Sequence, residues 1–234
     1  MRIDKFLSDM GKATRSESAK LARQGKISVN GEVTKRADIH IDPTTDEVRL
    51  NGVLVPYKKY TYIMLNKPEG YVSATDDGYE KTVLDLLSDD ENKKGLFPCG
   101  RLDKDTLGLL ILTNDGDLAH KLLSPKHHVQ KTYYFKSSYP LSEDDIDLIE
   151  KGVDIGGYTT KPCTLKTEND NRSGTITITE GKYHQIKKMF VSVGNKIEYL
   201  ERISFGKICL DKTLERGQYR HLTKDEEILL NELQ

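Results

Sequence analysis

The run Leu107-Gly108-Leu109-Leu110-Ile111-Leu112-Thr113 constrains the fold of this chain more than any other segment. Large apolar residues packed this densely belong in a buried strand, where each side chain stabilises by roughly 1.5–3 kcal/mol. Its flanks have the opposite character. Gly100-Arg101-Leu102-Asp103-Lys104-Asp105-Thr106 precedes it, and Asn114-Asp115-Gly116 closes it with a predicted turn. Asp103 is thus a carboxylate set against a core, and a charge in that position needs a balancing charge.

At 234 residues the chain is long enough for one full core and a small second domain. Apolar residues at 36% and charged residues at 31% fit a folded, water-facing protein and exclude a disordered one. No apolar stretch reaches the length of a membrane span. The start, Met1-Arg2-Ile3-Asp4-Lys5, lacks the apolar centre of a secretion signal, so the cytoplasm is the expected location. Cys99, Cys163 and Cys209 are distant and odd in number, which argues against disulfides and zinc knuckles. No metal site is expected, because His120 and His127-His128 lack ligand spacing.

The net charge of −1 is unevenly spread. Residues 1–36 hold nine Lys and Arg against four Asp and Glu, whereas residues 37–52 set Arg49 against Asp38, Asp42, Asp46 and Glu47. Within the basic stretch, Ile3, Phe6, Leu7 and Met10 recur at helical spacing. Ser16 is expected to cap a second helix that ends at Gly25. Asn30-Gly31 and Asn51-Gly52 predict two hairpins. Lys5, Lys12, Arg15, Lys20, Arg23 and Lys26 surround the helices and suit phosphate contact with little sequence preference. An acidic stretch, Asp76-Asp77 to Asp89-Asp90-Glu91, is expected to be exposed, because phosphates would repel it.

Domains are expected at 1–55 and 61–234, joined by a linker at 56–60 around Pro56 and Tyr57-Lys58-Lys59-Tyr60. In the second domain, strands are expected at 61–65, 109–113, 132–136, 174–178 and 197–203. Helices are expected near 83–87, 118–123 (stopped by Ser124-Pro125), 141–151, 183–193 and 223–233. The mixture has no regular βαβ repeat. It predicts an α+β fold with a mixed, largely antiparallel sheet flanked by helices.

Three distant segments gain meaning together: Arg101 with Asp103, then Lys131-Thr132-Tyr133, then Glu180-Gly181-Lys182-Tyr183-His184-Gln185-Ile186-Lys187-Lys188-Met189-Phe190. In this order they resemble the ribosomal pseudouridine synthases of the small-subunit type. Met64-Leu65-Asn66-Lys67-Pro68-Glu69-Gly70 resembles the opening strand of that catalytic domain. Val193-Gly194-Asn195, Leu200-Glu201-Arg202-Ile203 and Gly217-Gln218-Tyr219-Arg220 resemble its late elements. The amino-terminal part resembles the small alpha-L RNA-binding domain through Arg2, Asp4, Lys5, Leu7, Arg15, Ser16, Ala19, Gly25, Val29, Asn30 and Gly31.

The resemblance implies that Asp103 is the nucleophilic or general-base carboxylate. It implies that Tyr133 stacks on the target base, that Lys187 pairs with Asp103, that Ile186 lines the pocket, and that Arg101 holds the displaced RNA strand. Lys187 stands where other subfamilies carry Arg, which keeps the charge and loses the fork. The implied reaction isomerises a flipped uridine to pseudouridine and needs no cofactor. The implied substrate is 16S rRNA, within a small-subunit assembly intermediate, and the enzyme is expected to be a monomer. A 23S rRNA target is the alternative, followed by a non-catalytic RNA-binding protein. A methyltransferase is disfavoured because no G-x-G-x-x-G appears.

Overall fold

The computed structural model describes residues 1–124 and 126–232. The chain forms two compact units. One is Met1–Tyr60 with Leu87–Gly95, and the other is Thr61–Leu86 with the chain from Leu96 onward.

The first unit begins with helices α1 (Ile3–Asp9) and α2 (Arg15–Arg23). Four strands follow: β1 (Ile27–Val29), β2 (Glu32–Thr34), β3 (Val48–Leu50) and β4 (Val53–Leu54), in the sheet order β2-β1-β3-β4. Asn30 and Asn51 adopt φ of 51°, and Gly31 and Gly52 follow at 86° and 80°. These positive values are what tight hairpins require, so both predicted hairpins are present. The cap of α2 differs from expectation. Thr14 takes that place, because its hydroxyl accepts from Glu17 N at 3.2 Å while Glu17 accepts from Thr14 N at 2.7 Å. Ser16 lies inside the helix's first turn. Ile3, Phe6, Leu7, Ala22, Ile27 and Val48 form the buried centre. Tyr57 stacks on Phe6 at 6.1 Å. Asn92 reaches Asp9 O at 2.7 Å and Lys94 reaches the Asp9 carboxylate at 2.8 Å, which ties Leu87–Gly95 into this unit.

The second unit is built on a nine-stranded sheet. In chain order its elements are β5 (Tyr62–Lys67), β6 (Phe97–Cys99), β7 (Leu107–Thr113), α3 (Gly116–Leu123), β8 (Lys131–Ser137) and α4 (Glu143–Lys151). Then come β9 (Thr164–Thr167), β10 (Ser173–Ile178), α5 (Gln185–Ser192), β11 (Ile197–Phe205), β12 (Ile208–Cys209), β13 (Tyr219–His221) and α6 (Lys224–Asn231). The main path runs β13-β5-β7-β11-β8-β10-β9, with β6 on β7 and β12 on β11. Among the described strands, β7 and β11 alone pair in parallel, through Glu201↔Leu107 and Arg202↔Gly108. The sheet is therefore mixed and largely antiparallel, and the fold is α+β. The apolar run of β7 is buried from Gly108 to Thr113, as its composition requires.

Several local expectations change. The turn expected at Asn114-Asp115-Gly116 is the start of a helix, because Asp115 is buried, caps Leu118 N at 3.1 Å and accepts from the Tyr62 hydroxyl at 2.6 Å. The helix expected near 83–87 is one 3-10 turn, Val83–Leu86, pinned by Asp85 on Thr82 N at 2.7 Å. β5 continues past Leu65, since Asn66 and Lys67 are buried and bonded. Pro125 and Leu233, expected at helix ends, lie outside the described residues. Asp76, Asp77, Asp89 and Asp90 are exposed.

Candidate active site

The loop carrying Asp103 is held by its backbone. Lys67, fully buried at the end of β5, points its ammonium at the carbonyls of Pro68 (3.1 Å), Asp103 (3.0 Å), Lys104 (3.2 Å) and Thr106 (2.9 Å). The Ser73 hydroxyl donates to Leu102 O at 2.8 Å and accepts from Leu102 N at 3.1 Å. Gly70 N donates to Lys104 O at 2.9 Å. Three separate anchors thus fix where the Asp103 side chain starts. Burial pulls the Lys67 pKa down to about 8, against the opposing pull of Asp105 and Asp103.

The Asp103 carboxylate is about a quarter exposed. Lys187 Nζ stands 3.1 Å from one of its oxygens, and His184 Nε2 stands 3.6 Å from the other. Lys187 also meets Asp105 at 2.5 Å. Burial acts against the charge on Lys187, but its bonds to Asp105 and Asp103 outweigh this and raise its pKa. Burial raises the Asp105 carboxyl, yet Lys187 wins and its pKa falls.

A bend before α5 delivers this cation. His184 is left-handed at φ 52°, and its ring stacks on Tyr183 with 3.8 Å between centroids. The helix expected from Tyr183 therefore starts at Gln185. Two buried polar side chains shape the bend. Gln185 accepts from Lys182 N at 2.9 Å and donates to Glu180 at 2.8 Å. Glu180 in turn accepts from the Tyr158 hydroxyl at 2.6 Å and from Lys161 N at 2.9 Å. Phe190 anchors α5 on the sheet, meeting Phe135 edge-on at 4.9 Å.

These elements enclose a cavity of about 480 Å³. Asp103, Tyr133, Ile186, Lys187 and Arg101 all line it, so the five site residues expected from sequence come together. Tyr133 and Ile186 are buried and supply apolar wall, while Arg101 is exposed. The volume suits a small organic ring. Sequence reasoning gave no role to Lys67, Asp105, His184, Lys131 or Arg202. All but Lys67 and Asp105 line the cavity itself. The signal for Lys67 was a lysine inside a strand otherwise ready for burial, and for Asp105 a second carboxylate two residues from the first.

The basic residues of the first unit, Lys5, Lys12, Arg15, Lys20, Arg23 and Lys26, are all exposed. Lys5 is engaged with Asp9 at 2.7 Å, so its charge is partly spoken for. Among the described residues, no three His, Cys, Asp or Glu side chains converge as metal ligands, and no helix is long and apolar enough to cross a membrane.

Residues 61–192 match the RNA pseudouridylate synthase family, and residues 1–48 match the S4 domain. The chain is 47% identical to the RNA pseudouridine synthase YtzG of Bacillus subtilis (strain 168), over 100% of both chains. It is 40% identical to ribosomal small subunit pseudouridine synthase A of Vibrio cholerae, over 97% of each. A crystal structure of a pseudouridylate synthase aligns with a TM-score of 0.69 at 37% identity, covering 98% of this chain and 99% of the other.

Proposed function

The chain belongs to the RNA pseudouridylate synthase family, and on that premise we propose that Asp103 drives conversion of a single uridine in 16S rRNA to pseudouridine. The observation that carries the reading is the contact of Asp103 with Lys187 at 3.1 Å, on the wall of a cavity shared with the buried Tyr133. The choice of 16S rRNA is supported by relatives near 40% identity that bear the small-subunit name.

Uridine isomerisation breaks the N1–C1′ bond, turns the base over and rejoins it through C5. A stacked base cannot do this, so the nucleotide must be everted into a pocket. Tyr133 and Ile186 give the base an apolar and aromatic surface. Lys187, 3.1 Å from Asp103, places a positive charge beside that carboxylate. The carboxylate then adds to C6, attacks C1′, or removes a ribose proton in an elimination. Arg101, exposed at the cavity, meets the backbone of the displaced strand. The exposed basic residues of the S4 domain, Lys12, Arg15, Lys20, Arg23 and Lys26 with Lys5, hold structured rRNA by its phosphates. The enzyme works as a cytoplasmic monomer on a small-subunit assembly intermediate.

Replacing Asp103 by Asn is expected to lower tritium release from C5-labelled uridine in rRNA by roughly 10⁴-fold or more, with RNA binding kept. Unchanged release removes Asp103 from the mechanism. Mapping pseudouridine in rRNA with and without the protein is expected to lose one small-subunit position. A loss confined to the large subunit overturns the 16S assignment.

A further inference from the structure

Two cations of the cavity have no anionic partner at bonding distance among the described residues. Lys131 opens β8, and the register sets Arg202 of β11 opposite Tyr133. All three lie on the sheet face where Phe135 meets Phe190 of α5. Lys131 is 8% exposed and Arg202 is 1% exposed. Lys131 donates to Val129 O at 3.0 Å, and Arg202 Nε donates to Leu109 O at 2.7 Å. Both charges lie 5.4 Å from the centre of the Phe205 ring. One terminal nitrogen of Arg202, Nη2, is buried with no hydrogen-bond partner.

Neighbouring groups do not neutralise them. Burial pushes the Cys99 thiol up to about 11, so it stays uncharged. Glu180 already serves Tyr158, Lys161 and Gln185. Burial first, and then Arg202, pull the Lys131 pKa down to about 8. Two like charges in a buried wall are costly, and such an arrangement in a cleft marks a place where charge is to arrive.

We propose that Lys131 and Arg202 are the electrostatic floor that takes up the negative charge formed on the uracil ring during isomerisation. The inference rests on the pseudouridine synthase reading above. Every route places an electron pair in the ring. When N1–C1′ breaks, its bonding pair stays on the uracil and spreads to O2 and O4. When the carboxylate adds to C6, the pair of the C5–C6 double bond moves to C5 and O4. Rejoining through C5 makes the ring neutral; the C5 proton then leaves as N1 takes one up, which gives neutral pseudouridine. The base reaches this floor and the phosphates do not, because an everted nucleotide keeps its backbone in the strand, near exposed Arg101 and Lys182. Fixed charges aimed at a developing anion are worth most in a dry cavity.

The test uses single-turnover tritium release by Lys131→Met and Arg202→Gln variants of the full chain. Each is expected to be slower by roughly 100-fold, with RNA affinity and far-UV circular dichroism kept. A 5-fluorouridine RNA separates charge stabilisation from simple misplacement. Fluorine stabilises the ring anion by itself, so the deficit on that RNA, followed as loss of the parent nucleoside by mass spectrometry, is expected to shrink to about tenfold or less. Should Arg202→Gln fail to fold, Lys131→Met decides alone. Full rate in Lys131→Met, or equal deficits on both RNAs, overturns the inference and leaves the parent reading standing. No release by the unaltered protein on any rRNA removes both.

Discussion

Lys187 meets two carboxylates, at 2.5 and 3.1 Å, whereas Lys131 meets one carbonyl at 3.0 Å and the face of an aromatic ring. Both line the same cavity, yet their pKa values move in opposite directions, up for Lys187 and down to about 8 for Lys131. Residue type does not set the charge on a cavity wall; the partners do. Lys187 completes a group that is already present. Lys131 lines the same cavity with no carboxylate at bonding distance among the described residues. Lys67 falls between them, compensated by four carbonyl dipoles and by no carboxylate at bonding distance.

Removing the compensated cation is the most damaging way to probe this contrast. Lys187→Met leaves Asp103 and Asp105 facing each other, and tritium release is expected to fall by about 10²–10³-fold. The pair is partly exposed, so the stability loss stays near 1–2 kcal/mol. Lys187→Arg should recover much of the rate. A Met variant as active as the unaltered protein would erase the distinction between the two lysines. Lys67→Met removes the donor that gathers the loop carbonyls and is expected to cost about 1–3 kcal/mol in urea unfolding. Faster hydrogen exchange at Thr106, whose amide bonds to Asp103 O at 3.0 Å, should accompany it.

Lys131→Met is expected to have the opposite sign, equal or greater stability, because one of two repelling buried charges is gone. A drop in Tm comparable to that of Lys187→Met would show that the floor is structural. The smallest effect is read in pH. Between about 8 and 10.5, unfolded chains hold the Lys131 and Lys67 protons that the native state releases. Stability therefore gains with pH across that window. The gain should be smaller in Lys131→Met. Lys187 contributes in the other direction, its share being present below 10.5 and lost as pH rises through its raised value.

Local rules carried much of the fold. Asn30-Gly31 and Asn51-Gly52 specify their hairpins because few other pairs accept two positive φ values in succession. The apolar run of β7 could only be buried. Short strands such as β6, β12 and β13 were not legible, since two or three residues carry no period and form only against a neighbour. The cap at Thr14 was missed because Ser16 is an equally good capping type, and only the reciprocal Glu17 bond separates them. At the site, Asp103, Tyr133, Ile186 and Lys187 were named through family resemblance, and the structure gathers them at one cavity. Lys67, Lys131 and Arg202 stayed silent, because nothing in a lysine or arginine tells whether it will face water or a wall.

The parallel pairing of β7 with β11 has a further consequence. It spans two residue pairs, and it is the seam between two antiparallel halves of the sheet. Asp103 arrives from the half that holds β5 and β7, while Tyr133 belongs to the other half, as does the Phe135 face on which α5 brings Lys187. Gly108 sits on the junction itself, where a side-chain carbon would collide with the Arg202 carbonyl oxygen. The Asp103 carboxylate and the Lys187 cation are therefore contributed by separate leaves of a book, and they become neighbours only when the spine is shut.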